Sequence, residues 1–234
     1  MDGRVIEITR AVGLADVRPD TTARLDALAR IVQDVAEADA ATAPIPDMGI
    51  WILRRMELRI ARTPRLRAGV DARTWCSGVG RRWAERRTQL HVSDVLCVEA
   101  IALWVHTDPV TGAPTALPAG FDAIWGISAH GRQVSARLQH GTPGYDARRY
   151  RWALRAVDLD VVGHVNNAAY WAPIEDELAR RGTPRVTRAE IEFRTGLELD
   201  DPVEFLVTDT EAGFTAWLTV DGDVRASMLV ECQA

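Results

Sequence analysis

The apolar positions of the first half follow two spacings in turn. Residues 25–41 carry apolar side chains three and four positions apart, including Leu25, Leu28 and Val32, which predicts an amphipathic helix. A short apolar run before it, at 5–12, predicts a strand. Apolar and polar residues then alternate, which predicts strands at 51–60, 68–75, 82–92 and 95–106. One helix with a run of antiparallel strands is an α+β pattern.

The same order of elements returns in the second half. The pattern predicts strands at 150–157, 188–193, 202–208, 214–220 and 224–231, and a helix at 166–181. Pro173 lies inside that helix, so we expect the helix to be kinked there or to start late. Gly141, Pro143 and Gly144 break the pattern and predict a linker between the halves.

The halves also align residue by residue. An offset of 133 pairs Glu57 with Glu190 and Ile60 with Phe193, and apolar positions match along this stretch. Two amphipathic strands can align by chance, but here the offset and the order of elements agree. The sequence therefore predicts two copies of one unit packed sheet beside sheet, with domains at 1–140 and 145–234.

Composition narrows the function classes. Hydrophobic residues make up 47% of the 234 residues and charged residues 26%, which indicates an ordered globular protein. All 28 basic residues are Arg, and the net charge of −5 argues against nucleic-acid binding. The N-terminus lacks the apolar stretch of a signal peptide, and no segment is long and apolar enough to span a membrane. These features predict a cytoplasmic protein.

The cysteines and histidines suggest neither disulfides nor a metal. Three widely spaced cysteines fit no disulfide framework and no zinc site, so we expect Cys76, Cys97 and Cys232 to be reduced. Cys76 could be imagined as a nucleophile, but on a strand without a neighbouring motif it is better explained as a core residue. The histidines outside residues 158–170 lack the spacing of metal ligands, and nothing indicates a cofactor.

Chemistry concentrates in one stretch, Asp158-Leu-Asp-Val-Val-Gly-His-Val-Asn-Asn-Ala-Ala-Tyr170. It lies between a predicted strand and a predicted helix. The first turn of a helix leaves backbone N–H groups unpaired and carries partial positive charge, so it can bind an oxyanion. A carboxylate beside it can act as a general base on water or attack a carbonyl directly. Ester or thioester hydrolysis needs these parts.

This stretch resembles the active-site signature of hotdog-fold thioesterases, and residues 154–177 resemble the second domain of acyl-acyl-carrier-protein (acyl-ACP) thioesterases. The first half adds Thr74-Trp75 and Arg86-Arg87, similar to strands of that family's first domain. The resemblance covers nearly the whole chain. It implies two tandem hotdog domains, each a curved antiparallel sheet wrapped around a long helix, and a hydrolase that releases free fatty acid.

Carried over residue by residue, the resemblance implies Asp160 and His164 as catalytic residues. It implies Asn166, Asn167 and Gly163 as substrate-binding residues. The plant enzymes' Asn position holds Val162, and Thr195-Gly196-Leu197 stand where their Glu and Cys are expected. The chain is thus nearer to simpler hotdog thioesterases, in which one Asp and a helix N-terminus suffice.

Each of these residues also has a structural explanation. Asp160 could be a turn or capping residue, His164 could position the turn, and both asparagines could cap the helix. Asp158 is better explained as structural. The first half holds a degraded copy of the motif: an offset of 142 places Arg18 at Asp160 and Thr22 at His164.

Three functions stay open at this point: an acyl-ACP hydrolase, a hydrolase of acyl-CoA or another small thioester, and a non-catalytic acyl-thioester binding module. The chain itself would be a pseudo-dimer, which leaves open a homodimer of such chains. ACP is generally acidic, so docking it needs a local basic surface. Three arginine clusters are candidates: Arg81, Arg82, Arg86 and Arg87; Arg148, Arg149 and Arg151; and Arg180, Arg181 and Arg185.

Overall fold

The computed structural model of the protein describes residues 3–45 and 49–233. They form two compact units. The first comprises the residues up to Ala23 and Arg30–Arg137, and the second comprises Arg24–Ala29 and the residues from Leu138 onward. Compactness does not show that either unit folds alone, so the domain bounds of 1–140 and 145–234 stay a prediction.

The first unit is an antiparallel sheet with the larger part of one long helix, α1 (Leu25–Ala41), from Arg30 onward. Leu28, Val32 and Val35 of α1 are buried, as the spacing of its apolar residues predicts. The strands lie in the spatial order β1-β3-β4-β5-β2. They are β1 (Val5–Ala11), β2 (Ile50–Ile60), β3 (Gly69–Val79), β4 (Trp83–Val92) and β5 (Val95–Thr107).

The second unit repeats this topology with the order β6-β8-β9-β10-β7. Its strands are β6 (Arg148–Arg151), β7 (Val186–Phe193), β8 (Val203–Thr210), β9 (Gly213–Val220) and β10 (Asp223–Cys232). Its helix is α2 (Ala172–Arg180). The order of strands confirms the predicted duplication. The offset of 133 also holds, because β2 ends at Ile60 and β7 at Phe193.

Two elements of the second unit have bounds other than the predicted ones. The helix predicted at 166–181 begins only at Ala172, after a 3-10 turn at Ala169–Trp171. Pro173 explains the late start, because in the first turn of a helix its missing N–H leaves no hydrogen bond unmade. The strand predicted at 150–157 ends at Arg151, and a 3-10 turn follows at Ala156–Asp158.

Within the described residues, no helix is long and apolar enough to cross a membrane.

Candidate active site

The motif loop opens with a closed turn. Asp158 N–H donates to the carbonyl oxygen of Arg155 at 2.8 Å, and Arg155 N–H donates to Asp158 Oδ2, also at 2.8 Å. Asp158 is buried, and its carbonyl oxygen accepts Asn166 N–H at 2.8 Å. Asp158 therefore ties the start of the loop to its end. These contacts support the structural role expected for it.

Asp160 organises the tip of the loop through one of its carboxylate oxygens. Oδ1 accepts the backbone N–H of Val162 at 2.9 Å and of His164 at 3.2 Å. Asp160 N–H in turn donates to the carbonyl oxygen of His164 at 2.8 Å. Oδ2 accepts no hydrogen bond from any residue that the structure describes. The carboxylate is thus held by one oxygen and half-exposed, and its other oxygen has no hydrogen-bond partner among the described residues.

Gly163 supplies the backbone conformation of this tip. Its φ is +83°, in the left-handed region that favours glycine, and a Cβ there would meet no atom within 4 Å. Its N–H donates to the carbonyl oxygen of Asp160 at 3.1 Å. The glycine therefore shapes the turn and leaves open space above it.

His164 is joined to Asp160 through the backbone and not through its ring. The side chain is exposed, and its imidazole makes no hydrogen bond or ion pair with the residues in 3–45 and 49–233. The backbone hydrogen bonds of the turn hold the two residues together and leave the ring outside, so the catalytic role of His164 stays a prediction.

Asn166 caps the helical run that comes after the loop. Its Oδ1 accepts Ala168 N–H at 2.8 Å, and its carbonyl oxygen accepts Ala169 N–H, also at 2.8 Å. Those two N–H groups are therefore not available to an oxyanion. The side-chain Nδ2 of Asn166 donates to none of the described residues, and neither does that of the half-buried Asn167. Because Oδ1 is fixed, the Nδ2 of Asn166 points in a defined direction.

Tyr170 connects the motif to the strand end at which the plant enzymes carry their acid and thiol. Its hydroxyl oxygen accepts Leu197 N–H at 2.9 Å, and its ring packs edge-on against Phe193 with centroids 5.1 Å apart. Burial raises the pKa of Tyr170 to about 12, so its hydroxyl stays protonated. No role was predicted for Tyr170, because its partner Leu197 lies 27 residues further along the chain. Its place in the motif was the only signal in the sequence.

The structure pairs many of the arginines considered for ACP docking with acidic residues. Arg148 contacts Asp209 at 2.8 Å and Glu177 at 3.0 Å. Arg180 and Arg181 also contact Glu177, which is almost fully buried. Hydrogen bonds from Arg148 and Arg181 lower the pKa of Asp209 to about 2. These two clusters form one largely neutralised network.

The cluster in the first unit is partly neutralised as well. Arg86 pairs with the buried Asp39 at 2.6 Å, and Arg87 pairs with Glu99 at 3.1 Å. Arg81 and Arg82 are exposed. The paired arginines therefore support docking of an acidic carrier protein less strongly than the arginine clusters in the sequence did.

None of the cysteines is placed as a reactive thiol among the described residues. Cys76 and Cys97 are buried, and burial raises the pKa of Cys76 and of Cys232. A raised pKa disfavours the thiolate, which is the nucleophilic form. One group of side chains could hold a metal ion, namely His140, Glu190 and Glu192. It lies outside the motif loop.

Comparison with known proteins agrees with this architecture. The acyl-ACP thioesterase N-terminal domain matches residues 7–123, and the C-terminal domain matches residues 144–227. An uncharacterised protein of Mycobacterium tuberculosis is 26% identical over 219 residues, which cover 92% of this chain and 87% of that protein.

Solved structures show the same fold. A 12:0-ACP thioesterase from Umbellularia californica is 18% identical with a TM-score of 0.84, over 100% of this chain and 98% of that one. An acyl-ACP thioesterase from Bacteroides thetaiotaomicron is also 18% identical with a TM-score of 0.84, over 98% of each chain. The predicted α+β fold of two tandem hotdog units is confirmed. The chain belongs to the acyl-ACP thioesterase family and is a thioester hydrolase.

Proposed function

We propose that the protein hydrolyses fatty acyl-ACP thioesters to free fatty acid and carrier thiol, with Asp160 as the base or the nucleophile. The geometry of Asp160 is the observation that carries this assignment. Two backbone N–H groups fix Oδ1, whereas Oδ2 is left open by the described residues. A carboxylate held in this way presents one lone pair in a defined direction, which either role requires.

As a base, Asp160 takes a proton from water while the water oxygen bonds to the thioester carbonyl carbon. The tetrahedral intermediate then collapses, the C–S bond breaks, and the proton passes to the leaving sulfur. As a nucleophile, Asp160 instead bonds to the carbonyl carbon and releases the thiolate. Water then hydrolyses the resulting anhydride. Single turnover in ¹⁸O-water distinguishes the two, because only the anhydride route can leave the label on Asp160.

The oxyanion donor in this proposal is the Nδ2 of Asn166. A helix N-terminus was the first expectation, but Asn166 itself uses the N–H groups of Ala168 and Ala169. Its own amide nitrogen is oriented by the hydrogen bond at Oδ1. A donor oriented in advance stabilises developing negative charge without reorganisation. Asn167 and Gly163 are proposed to line the same space, Asn167 as a further donor and Gly163 by leaving room.

Hydrolysis of acyl-CoA is a second candidate, because the phosphates of CoA are attracted to the same arginines as an acidic carrier and charge alone does not separate the two donors. Arg148, Arg180 and Arg181 are occupied by Glu177 and Asp209, which removes part of the basic surface that an acidic carrier would use. The two donors share the same phosphopantetheine thioester, so the motif loop serves either one.

The experiment that tests the proposal is release of free thiol from acyl-ACP and acyl-CoA over a series of chain lengths. Higher kcat/KM for acyl-ACP supports the carrier-protein donor, and higher kcat/KM for acyl-CoA selects the second candidate. Tight binding of both donors without any thiol release would contradict hydrolysis and indicate a binding module. The Asp160→Asn variant serves as the negative control for residual hydrolysis.

A further inference from the structure

A short piece of the linker is bound to the second sheet on a face that the motif does not use. Gln139 N–H and His140 N–H donate to the carboxylate of Glu192 at 2.6 and 3.0 Å. Trp217 Nε1 donates to the carbonyl oxygen of Gly141 at 2.8 Å. We call residues 139–141 the strap. The strap is therefore fixed by β7 and β9 of the second unit.

The ring of His140 lies between two carboxylates. Nε2 is 2.9 Å from Glu190 Oε1, and Nδ1 is 3.9 Å from Glu192 Oε2. One ligand atom from each of the three residues lies within 4.8 Å of the others. Glu192 is fully buried and Glu190 is 7% exposed. Three metal-binding side chains are thus gathered in a nearly water-free place.

Two buried polar atoms beside these groups lack partners. His140 Nδ1 and Ser227 Oγ make no hydrogen bond among the described residues. Ser227 is fully buried and lies directly opposite Glu192 in the β7–β10 pairing, so both side chains are on one face of the sheet. Buried polar groups are normally hydrogen-bonded, because leaving one unpaired costs free energy. The two unpaired atoms indicate a missing ligand.

The first unit has a different arrangement of charged side chains at the corresponding positions. There Glu57, Arg59 and Glu99 occupy the places of Glu190, Glu192 and Ser227. Arg59 contacts Glu57 at 2.7 Å and Glu99 at 3.8 Å, so a cation stands between two acids. In the second unit Glu192 replaces that arginine. Arg188 contacts Glu190 Oε2 at 3.3 Å, but among the described residues no arginine contacts Glu192.

Glu192 is therefore a buried carboxylate without an arginine partner. Within 3–45 and 49–233, no arginine nitrogen lies within 4.0 Å of it, and the ring nitrogen nearest to it is Nδ1 of His140, at 3.9 Å. A buried carboxylate needs a compensating charge or hydrogen bonds. The two strap N–H groups provide hydrogen bonds, but they carry no full charge.

We infer that His140, Glu190 and Glu192 bind a divalent transition-metal ion such as Zn²⁺ or Mn²⁺. One imidazole and two carboxylates are a donor set for these ions, and the charge of the ion offsets Glu192, which lacks the arginine that Glu190 has. Neighbouring ligands on bonds of about 2.0 to 2.2 Å lie about 3 Å apart, which the 2.9 Å between His140 and Glu190 already satisfies. Binding displaces any proton on the ligating ring nitrogen, and Ser227 or water completes the coordination.

The ion clamps the strap and takes no part in hydrolysis. Side chains alternate along a strand, so Glu190 and Glu192 lie on the opposite face of β7 from Ile191 and Phe193. Phe193 contacts Tyr170 of the motif. The metal site and the motif loop therefore lie on opposite faces of β7, and the inference does not depend on the proposed function.

The test is metal binding by chelator-treated full-length protein, measured by titration calorimetry and thermal unfolding with Zn²⁺ and Mn²⁺. We expect one equivalent to bind. At an ion concentration a hundred times Kd, the Tm should rise by about 5 °C or more. His140→Gln and Glu192→Gln should lose both effects, whereas His91→Gln, a half-buried histidine on β4, should keep them.

Several outcomes would overturn the inference. Wild-type protein that binds neither ion would show that no metal ion offsets the charge of Glu192. Binding retained in His140→Gln would place the ion elsewhere. If Glu192→Gln does not fold, the wild-type titration and His140→Gln still decide. Loss of hydrolysis on chelation in protein that stays folded would contradict the clamping role.

Discussion

The two units carry the same loop between their first strand and their helix, and only one of the two carries the motif. In the first loop, Gly13 N–H donates to Asp16 Oδ2 at 2.9 Å. In the second loop, Arg155 N–H donates to Asp158 Oδ2 at 2.8 Å. The same 3-10 turn opens both loops. An acid at this position therefore serves the fold in both units.

The tips of the loops also share their backbone hydrogen bonds. Arg18 N–H donates to the carbonyl oxygen of Thr22 at 2.8 Å, as Asp160 N–H does to that of His164. The pairing next to it, Val17 with Ala23 in one loop and Leu159 with Val165 in the other, is the same. The turn thus forms with either Arg or Asp at its first position. The fold does not require Asp160, which supports a chemical reason for its presence.

The loops differ in the side chains that support the tip and in the distance from the tip to the helix. Asp20 Oδ1 accepts Thr22 N–H in the first loop, whereas Asp160 Oδ1 accepts His164 N–H in the second. Helix α1 begins at Leu25, soon after the first tip, but Asn166 and a 3-10 turn precede α2. The motif loop therefore carries a positioned carboxylate and amide, and the helix that follows it starts later than α1 does after the first loop.

The largest expected effect is the loss of activity in Asp160→Asn. Asparagine keeps an oxygen for the N–H groups of Val162 and His164, but it can act neither as a base nor as an equal nucleophile. We expect kcat to fall about a hundredfold or more, with Tm little changed. Thiol release and thermal unfolding measure the two quantities.

The matched control is Asp20→Asn in the first loop, which removes a carboxylate with a similar turn role. It should leave kcat unchanged within about twofold, since turn bonds of this kind contribute only modestly to stability. Near wild-type turnover of folded Asp160→Asn would refute the assignment of Asp160.

Asn166→Asp should have the next largest effect. Aspartate keeps the oxygen that accepts Ala168 N–H, so the cap survives, but it replaces the proposed oxyanion donor with a negative charge. Removing one such donor costs about a hundredfold in kcat. Steady-state kinetics and the Tm of Asn166→Asp are compared with those of Asn166→Ala. The comparison separates the donor role from the capping role, because alanine also removes the cap and should lower Tm further. If Asn166→Asp keeps full kcat, the donor is another group.

Local patterns predicted the elements well where spacing decides them. The bounds of α1 came directly from its apolar spacing, and the repeat came from one offset. Pro173 predicted a kink or a late start of α2, but the first residue of the helix was not predicted, because Asn166 and Asn167 fit a helical pattern equally well. The local cap that Asn166 forms on Ala168 N–H leaves no periodic signal.

Contacts between residues that lie far apart in the chain could not be predicted from the sequence. The arginine clusters looked like a docking surface because Asp209 is 61 residues from Arg148. His140 showed no metal spacing because Glu190 is 50 residues away. The position of the site was predictable from the motif, but the exposure of His164 was not, since a motif specifies residue order and not ring direction.

Gly163→Ala tests whether the tips of the two loops share a backbone conformation, and the measured quantity is stability. The same position in the first loop is Thr21, which holds a φ of +71° with a side chain. A non-glycine residue in this region costs about 1 to 2 kcal/mol, so Gly163→Ala should lower the free energy of unfolding by about that amount. Urea denaturation measures it. An unchanged midpoint would mean that the second tip relaxes to another conformation when alanine replaces glycine.

Arg18→Ala should have the smallest effect of all. Arg18 Nη1 donates to Thr22 Oγ1 at 3.3 Å and to the carbonyl oxygen of Ala23 at 3.2 Å, so its loss should cost about 1 kcal/mol of stability at most. We expect kcat/KM to change less than about twofold, because Arg18 has no proposed role in the transition state. His164→Ala, in the motif loop, should lower kcat/KM more, because an exposed ring beside Asp160 can contact substrate. Parallel kinetics of the two variants checks this ranking. A severe loss from Arg18→Ala in folded protein would reverse it, because the first loop would then supply a group that acts on the substrate.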